Sequence, residues 1–400
     1  MPRLIVFALL VGLAVLLAAC SYPDRLPPVP RADTTRALPL GIANARFFAD
    51  GAPGPMIAEV DRATERERAA LVAAAQPARS LPPAFYLAIS GGGDEGAFGA
   101  GVLGGWTVAG DRPIFKMVTG ISTGAMMAPM AFLGPQYDAA LREAYTVTRP
   151  SMIFRKRPML SAALFDDALA DTSPLAEMIA KVADQKMFDA IAREYEKGRL
   201  LLIGTTDLDA RRPVIWNVGA LSVSRHPQAL DLFHKILRAS AAIPGAFQPV
   251  MIDVELDGRK YQEMHVDGGA IAQLFLYPPT IDLVETGARR ERRAYVIRNA
   301  RLDPSYSETK RQTLAIAGHA ISTMLVASGY NDILRTYFVA RHDGVDYNFA
   351  YIGEDFTKTE DADFDQAYMQ GLYDYAYRRA ATKTVWHKLP PGLVRTETGR

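Results

Sequence analysis

The chain has 400 residues, of which 49% are hydrophobic and 22% are charged. This composition excludes a disordered, collagen-like or coiled-coil protein and leaves enough apolar material for a large core. With 45 Lys and Arg against 44 Asp and Glu, the net charge of +1 gives no indication of a nucleic-acid partner, so we predict none. A single cysteine cannot form an internal disulfide, and the six histidines have no cysteine partners at zinc-finger spacing. We therefore predict no structural metal.

The first predicted element is the uncharged apolar segment 4–20. It is shorter than the roughly 20 apolar residues of a spanning helix and ends in small residues, which is typical of an export signal. Its last four residues, LAAC, resemble the lipobox of bacterial lipoproteins. That resemblance implies a cleaved signal peptide over 1–19 and lipidation of Cys20, and Ser21 favours retention at the outer membrane. An ordinary secretory signal or an uncleaved anchor is the alternative.

The segment 20–83 is rich in Pro, Ala and Arg, and we interpret it as a tether that contains one short helix at 57–75. The folded part begins at 84–89, an apolar run that stops at Ser90 and three glycines, as a buried strand does. The next predicted elements are a helix at 96–106, a strand at 114–119, a sharp turn at 120–124 and a helix at 125–132.

Several helical patterns interrupted by Pro and charges occupy 135–198, which we predict to be a helical insertion. Asp257-Gly258 is a strong hairpin signal between two alternating segments. The remaining predictions are strands at 200–205, 214–218, 250–256, 260–266, 293–297 and 347–352, and helices at 230–241, 309–339 and 364–381. The alternation of strands and helices predicts an α/β fold with a mostly parallel central sheet covered on both faces. We assign 84–300 to the main domain and 301–400 to a C-terminal helical extension packed on it.

The turn at 120–124 matches the nucleophile-elbow pattern G-x-S-x-G. Gly120 and Gly124 would allow a tight strand-to-helix turn that exposes the hydroxyl of Ser122, and a helix N-terminus there would favour a developing oxyanion. The alternative, non-catalytic interpretation is a helix cap beside two turn glycines.

The glycine run at 91–96 also matches the dinucleotide-binding pattern G-x-G-x-x-G. The ribose-binding acid of such a domain belongs at the end of the second strand, whereas Asp111 precedes that strand. Backbone N–H groups of the glycine run serve an oxyanion better, although a merely tight turn is also possible.

A reactive serine needs a base, and Asp267 is the best-placed candidate. It ends an alternating strand and precedes Gly268 and Gly269, so its carboxylate could reach a serine on a neighbouring strand. His265, two residues earlier on the same face, is a structural or supporting residue. Three histidines also come late enough in the chain for a triad, but none follows a glycine-bounded strand end: His319, His342 and His387.

Four ordered blocks together resemble the patatin-like phospholipase family. They are the glycine block 91–103, the elbow at 120–124, the stretch 239–249 and Asp267-Gly268-Gly269. The resemblance covers about 85–299 and implies a three-layer α/β/α fold. It also implies a serine–aspartate dyad that hydrolyses lipid carboxylic esters through an acyl-serine, with no metal or other cofactor.

The resemblance gives each block a role. Ser122 is implied as nucleophile and Asp267 as general base, and the oxyanion donors are implied to be the N–H groups of Gly91, Gly92 and Gly93, followed by the motif glycine Gly96. Many family members carry Arg or Lys where this chain has Glu95. If that carboxylate points inward, we expect replacing it with arginine to accelerate turnover.

These observations predict a lipid-anchored serine acyl hydrolase of the bacterial cell envelope, facing the periplasm, whose substrate is a membrane lipid. A catalytically silent lipoprotein that uses the same scaffold to bind acyl chains or a protein is the alternative. The sequence identifies no protein partner.

Overall fold

The computed structural model describes residues 25–77, 80–157, 167–281, 290–303, 306 and 308–393. The export signal and Cys20 lie outside these residues, so the anchor stays a prediction. Within these ranges, no helix combines the length and the apolar character needed to cross a membrane.

Nine of the described strands form one sheet in the order β1-β7-β6-β3-β2-β10-β11, in which β9 also pairs with β6, and β8 with β9. The described strands are β1 Arg46–Phe48, β2 Ala84–Ile89, β3 Met117–Ile121, β4 Arg155–Lys156, β5 Ala170–Asp171, β6 Leu200–Asp207, β7 Arg212–Asn217, β8 Val250–Leu256, β9 Arg259–Asp267, β10 Arg292–Arg301 and β11 Asp346–Ile352. β4 and β5 pair only with each other, outside this sheet. Neighbours from β6 to β11 are parallel. The β1, β7, β8 and β9 pairings are antiparallel.

Helices cover both faces of this sheet. They are α1 Gly54–Ala73, α2 Gly96–Ala109, α3 Thr123–Leu133, α4 Asp138–Thr146, α5 Pro150–Ile153, α6 Ser173–Val182, α7 Gln185–Glu196, α8 Val218–Val223, α9 Ala229–Ser240, α10 Thr313–His342 and α11 Gln366–Ala381. Because side chains alternate along a strand, Leu87 and Ile89 enter one buried cluster and Tyr86 and Ala88 enter the other. The predicted three-layer α/β/α fold with a central, mostly parallel sheet is confirmed.

The segment before the first predicted strand is not a simple tether. β1 pairs antiparallel with β7 at one edge of the sheet. Arg46 of β1 reaches a buried ion pair with Glu263 of β9, and Met56 and Ala63 of α1 are buried in the second core cluster. A strand of three residues carries too little alternation to be visible in a Pro- and Arg-rich sequence.

The C-terminal part also does more than add helices, because β11 extends the parallel sheet beside β10. α11 lies against α2 at the positions of two glycines. A Cβ on Gly101 would collide with the carbonyl of Tyr373, and one on Gly105 with the carbonyl of Tyr377. The small residues of α2 therefore bring α11 close to it.

The end of β3 sets the position of the site. β3 pairs with β6 as far as the partners Ile121 and Gly204, and there the chain turns away. The next residue of β6, Thr205, pairs with Asp267 at the end of β9. The residue that follows β3 and the last residue of β9 are thus brought to one place.

Candidate active site

Ser122 occupies the sharp turn between β3 and α3. Its backbone angles, φ 55° and ψ −126°, lie in a region that side chains rarely adopt. The flanking glycine is required here, because a Cβ on Gly124 would collide with the carbonyl of Ile89 on β2. This strained strand–turn–helix is the geometry of a nucleophile elbow.

Ser240, the last residue of α9, supports this turn. Its buried hydroxyl accepts a hydrogen bond of 2.9 Å from the N–H of Ser122 and donates one of 2.7 Å to the carbonyl of Gly204. The elbow is thereby tied to the neighbouring strand β6.

Asp267 lies beside the nucleophile. Its carboxylate accepts hydrogen bonds from the side chain of Ser122 and from the N–H of Gly269, the latter at 2.7 Å. Burial raises the pKa of Asp267 to about 7, although both hydrogen bonds favour the charged form and oppose this shift. A carboxylate with a pKa near 7 is suited to accept and return a proton at neutral pH.

The glycine block forms a loop between β2 and α2. Gly92 has φ 155°, and a Cβ there would collide with the carbonyl of Asn299. The resemblance implies that the N–H of Gly91 donates to an oxyanion. In the structure this N–H already donates to the carbonyl of Gln273 at 3.0 Å. In the part of the chain that the structure describes, the N–H groups of Gly92 and Gly93 have no acceptor, so they are the remaining donors of the three.

Ser122 opens into a cavity of about 620 Å³ whose walls are mostly apolar. The apolar walls come mainly from α3, α6 and the loop before β8, and include Met126, Met130, Leu175, Ile179 and Phe247. Charged residues also line it: Asp94, Lys156, Arg157, Glu360 and Asp363. A largely apolar cavity with few polar groups is typical of a site for an apolar ligand.

Glu95 does not line this cavity. It lies near α11, where the hydroxyl of Tyr368 is 3.5 Å from its carboxylate. Burial, reinforced by the charge of Asp94, raises the pKa of Glu95 to about 7. The inward orientation considered from the sequence is therefore not the one adopted.

None of the candidate histidines reaches Ser122. Over the described ranges, no histidine lines the cavity. His319 contacts Thr309, and the ring of His387 lies 5.2 Å from that of Tyr351. The acid of the dinucleotide alternative, Asp111, pairs with Lys383 at 2.7 Å instead of facing the glycine loop.

His265 belongs to a buried polar network on the same strand as Asp267. Its Nδ1 lies 3.0 Å from the hydroxyl of Thr205, and its Nε2 lies 3.2 Å from Glu263. Asp207, Glu263 and His265 approach one another as metal ligands can. However, the guanidinium of Arg46 pairs with both carboxylate oxygens of Glu263, so we assign the cluster as an ion-pair network.

Two residues of this site were not singled out by the sequence: Ser240 as a support of the elbow, and Gln273. The stretch 239–249 pointed to the neighbourhood of Ser240 without giving it a role. Gln273 lies four residues after Gly269 and bonds it, but no motif marks it, and its contacts with Gly91 and Asp332 are made with segments far away in the chain.

Residues 87–278 match the sequence model of the patatin-like phospholipase family. No curated protein gives a significant match. The solved structures that are similar to this chain include two at 12% identity each. VipD from Legionella pneumophila has a TM-score of 0.38, with 76% of this chain and 67% of that one covered. Human GIVD cytosolic phospholipase A2 has a TM-score of 0.31, with 70% and 51% covered, so this chain spans about half of the human protein.

The family match, together with the four ordered blocks, identifies 87–278 as a patatin-like phospholipase domain. The domain is that of a lipid ester hydrolase, as the sequence resemblance predicted.

Proposed function

We propose that this protein hydrolyses lipid carboxylic esters through an acyl-serine intermediate, with Ser122 as nucleophile and Asp267 as general base. The observation that carries this proposal is the hydrogen bond between the two side chains, beside an apolar cavity that Ser122 lines. Nucleophile and base in direct contact are the minimum arrangement for covalent acyl transfer.

In the first step, the hydroxyl oxygen of Ser122 bonds to the ester carbonyl carbon while its proton passes to Asp267. The carbonyl oxygen becomes an oxyanion. The free N–H groups of Gly92 and Gly93 and the N-terminus of α3 supply positive charge there, which stabilises the transition state more than the substrate.

In the second step, the carbon–oxygen bond to the alcohol breaks, and Asp267 returns its proton to the departing oxygen. The acyl group remains on Ser122. Water then gives a proton to Asp267 and attacks the acyl carbon, and Asp267 returns that proton to Ser122 as the fatty acid leaves. One carboxylate with a pKa of about 7 serves every proton transfer.

The substrate class is a phospholipid, lysophospholipid or acylglycerol. The apolar walls of the cavity remove acyl-chain surface from water, which is worth about 25 cal/mol per Å². The charged residues that line the same cavity would lie near a polar head group.

We further propose that Cys20 anchors the protein to the outer membrane, facing the periplasm. This rests on the LAAC sequence and the lone cysteine. Mass spectrometry of the protein purified from its own host should find a diacylglycerol-modified Cys20 at the N-terminus. An intact Met1 or an unmodified Cys20 would contradict the anchor without affecting the catalytic proposal.

The catalytic proposal is tested by fatty-acid release from phospholipid vesicles, lysophospholipid micelles and monoacylglycerol by the full-length protein. We expect release from at least one lipid, and loss of more than 99% of it in Ser122→Ala. Ser222→Ala is the matched control, because its hydroxyl bonds only the carbonyl of Gly219 in its own helix. His319→Ala, His342→Ala and His387→Ala should retain activity. If wild type binds these lipids but releases nothing, the protein is a silent lipid-binding scaffold.

A further inference from the structure

Gln273 lies between the turn that carries the base and the loop that carries the oxyanion donors. Its side-chain N–H donates to the carbonyl of Gly269 at 3.0 Å, and Gly269 in turn donates its own N–H to the carboxylate of Asp267. Its backbone carbonyl accepts the N–H of Gly91 at 3.0 Å. One residue therefore contacts both halves of the site.

The geometry around both glycines depends on this residue. A Cβ on Gly269 would lie 2.8 Å from Nε2 of Gln273 and 3.0 Å from Asp267. A Cβ on Gly91 would lie 3.1 Å from the Cβ of Ser122 and 3.3 Å from Oε1 of Gln273. Gly91 is thus packed between the nucleophile and Gln273.

Gln273 is itself held from two other elements. Its N–H donates to Asp332 of α10 at 2.6 Å. The guanidinium of Arg298 on β10 approaches its Oε1 at 3.5 Å. Because a guanidinium can only donate and a carbonyl can only accept, the amide is oriented with its oxygen toward Arg298 and its nitrogen toward Gly269.

We propose that Gln273 is a positioning residue: it holds Gly269 against the carboxylate of Asp267 and Gly91 beside Ser122, and so fixes the spacing between the base and the glycine loop. This inference rests on the proposed function. It also gives the C-terminal part of the chain a role in the site, because Asp332 of α10 and Arg298 of β10 set the orientation of Gln273.

The contact between Gln273 and Gly269 should also affect the proton affinity of the base. The N–H of Gly269 favours the charged form of Asp267, so releasing Gly269 should raise the pKa of Asp267. Among the described residues, no charged side chain contributes directly to the shift in the pKa of Asp267. The charged and titratable groups on the surrounding elements are Arg298 of β10, Asp332 of α10, Asp94 and Glu95 of the glycine loop, and Asp207, Glu263 and His265 of β6 and β9. Four more line the cavity into which Ser122 opens: Lys156, Arg157, Glu360 and Asp363.

The experiment measures the rate at which a fluorophosphonate labels the full-length protein, as a function of pH, in wild type, Gln273→Leu and Gln273→Glu. Leucine removes both side-chain contacts. Glutamate keeps the contact with Arg298, but it places a carboxylate oxygen, which cannot donate, against the carbonyl of Gly269. It also adds a negative charge near Asp267. We expect labelling at high pH to slow about tenfold in both variants. The acid limb should move up by about half a pH unit in the leucine variant and further in the glutamate variant.

Gln262→Leu is the matched control. Gln262 lies on the same strand as Asp267 and bonds Leu26 and Asp253, but it makes no contact with the site. A purely structural role would lower melting temperatures and labelling without moving the acid limb. An acid limb unchanged within 0.2 pH unit in both Gln273 variants would overturn the inference. Should the leucine variant not fold, the glutamate variant decides alone, and Gln273→Asn replaces it if that also fails.

Failure of the inference is distinct from failure of the proposed function. If wild type is not labelled, or if Ser122→Ala is labelled equally, the dyad itself is wrong. If those two behave as expected and the Gln273 variants keep the wild-type acid limb, only the role of Gln273 is wrong.

Discussion

The N–H of Ser122 donates a hydrogen bond of 2.9 Å to the hydroxyl of Ser240, a residue 118 positions later in the chain. Because Ser240 also donates to the carbonyl of Gly204, it joins the strained elbow to the strand that pairs with the end of β9. The positions of the nucleophile and the base are therefore coupled through one buried hydroxyl.

Replacing this hydroxyl should harm the reaction. In Ser240→Ala, the buried N–H of Ser122 and the carbonyl of Gly204 lose their partner, which costs about 1–3 kcal/mol. We expect a melting temperature a few degrees lower and ester hydrolysis slowed about tenfold, both compared with the Ser222→Ala control. Hydrolysis and stability equal to wild type would mean that the elbow needs no support from α9.

Asp267 should weaken the fold at high pH while enabling the reaction. Its pKa is about 7 in the folded protein against an unfolded value of 3.8, so the folded state binds the proton more tightly. Stability from this group is full at pH values below about 4, is lost as pH rises toward 7, and stays lost above it. Asp267→Asn carries no charge and should avoid this loss.

Chemical denaturation of wild type and Asp267→Asn at pH 4 and pH 8.5 measures this pH dependence of the free energy of unfolding. We expect the asparagine variant to be inactive at both pH values, and to gain up to a few kcal/mol of stability relative to wild type only at pH 8.5. Asp253→Asn, an exposed site, controls for the effect of net charge. A variant destabilised equally at both pH values would show that folding does not raise the pKa of Asp267.

Arg46 should be essential for folding despite its position ahead of the first predicted strand. Arg46→Leu would leave Glu263 buried and without its cation, which typically costs about 3–5 kcal/mol. Both side chains are at most 4% exposed. The control, Arg36→Leu, removes an exposed pair with Asp33 and Asp257 and should change stability far less. Equal effects of the two substitutions would contradict the integral role of β1.

Replacing Glu95 by arginine should not accelerate turnover, contrary to the expectation from the sequence. The new cation would lie beside Arg298 and Arg301, the two positive charges that act on Glu95. We expect Glu95→Arg to lower the melting temperature with no gain in rate, and Glu95→Gln to keep the rate within about twofold. Turnover of a neutral short-chain ester measures this, and faster hydrolysis by the arginine variant would place Glu95 back at the oxyanion.

The parts of the fold that the sequence predicted are those whose signal is local. The strand at 84–89 ends at three glycines, and the elbow at Ser122 needs glycines on both sides, so both were visible within a few residues. The predicted strand at 114–119 starts too early, because the apolar residues Ile114 and Phe115 precede β3 in the sequence, whereas pairing with β2 begins at Met117.

The parts that the sequence did not predict depend on distant segments. β1 is only three residues long, and its role becomes apparent through Glu263, 217 positions away. Gln273 and Ser240 lie close in the sequence to predicted site residues. Their contacts with Gly91 and Ser122, however, are made only in the folded chain. The sequence also does not show that the N–H of Gly91 donates to the carbonyl of Gln273 and is therefore not available to an oxyanion.

Trapping the acyl-serine tests directly whether Ser122 is the nucleophile. The full-length protein would be mixed with a long-chain nitrophenyl ester at pH 8, quenched in acid during turnover, digested and analysed by mass spectrometry. We expect the acyl mass on the peptide that contains Ser122 in wild type, and no acyl group on this peptide in Ser122→Ala or Asp267→Asn. Turnover with the acyl group on another residue, or an acylated Ser122 formed at the wild-type rate in Asp267→Asn, would contradict it.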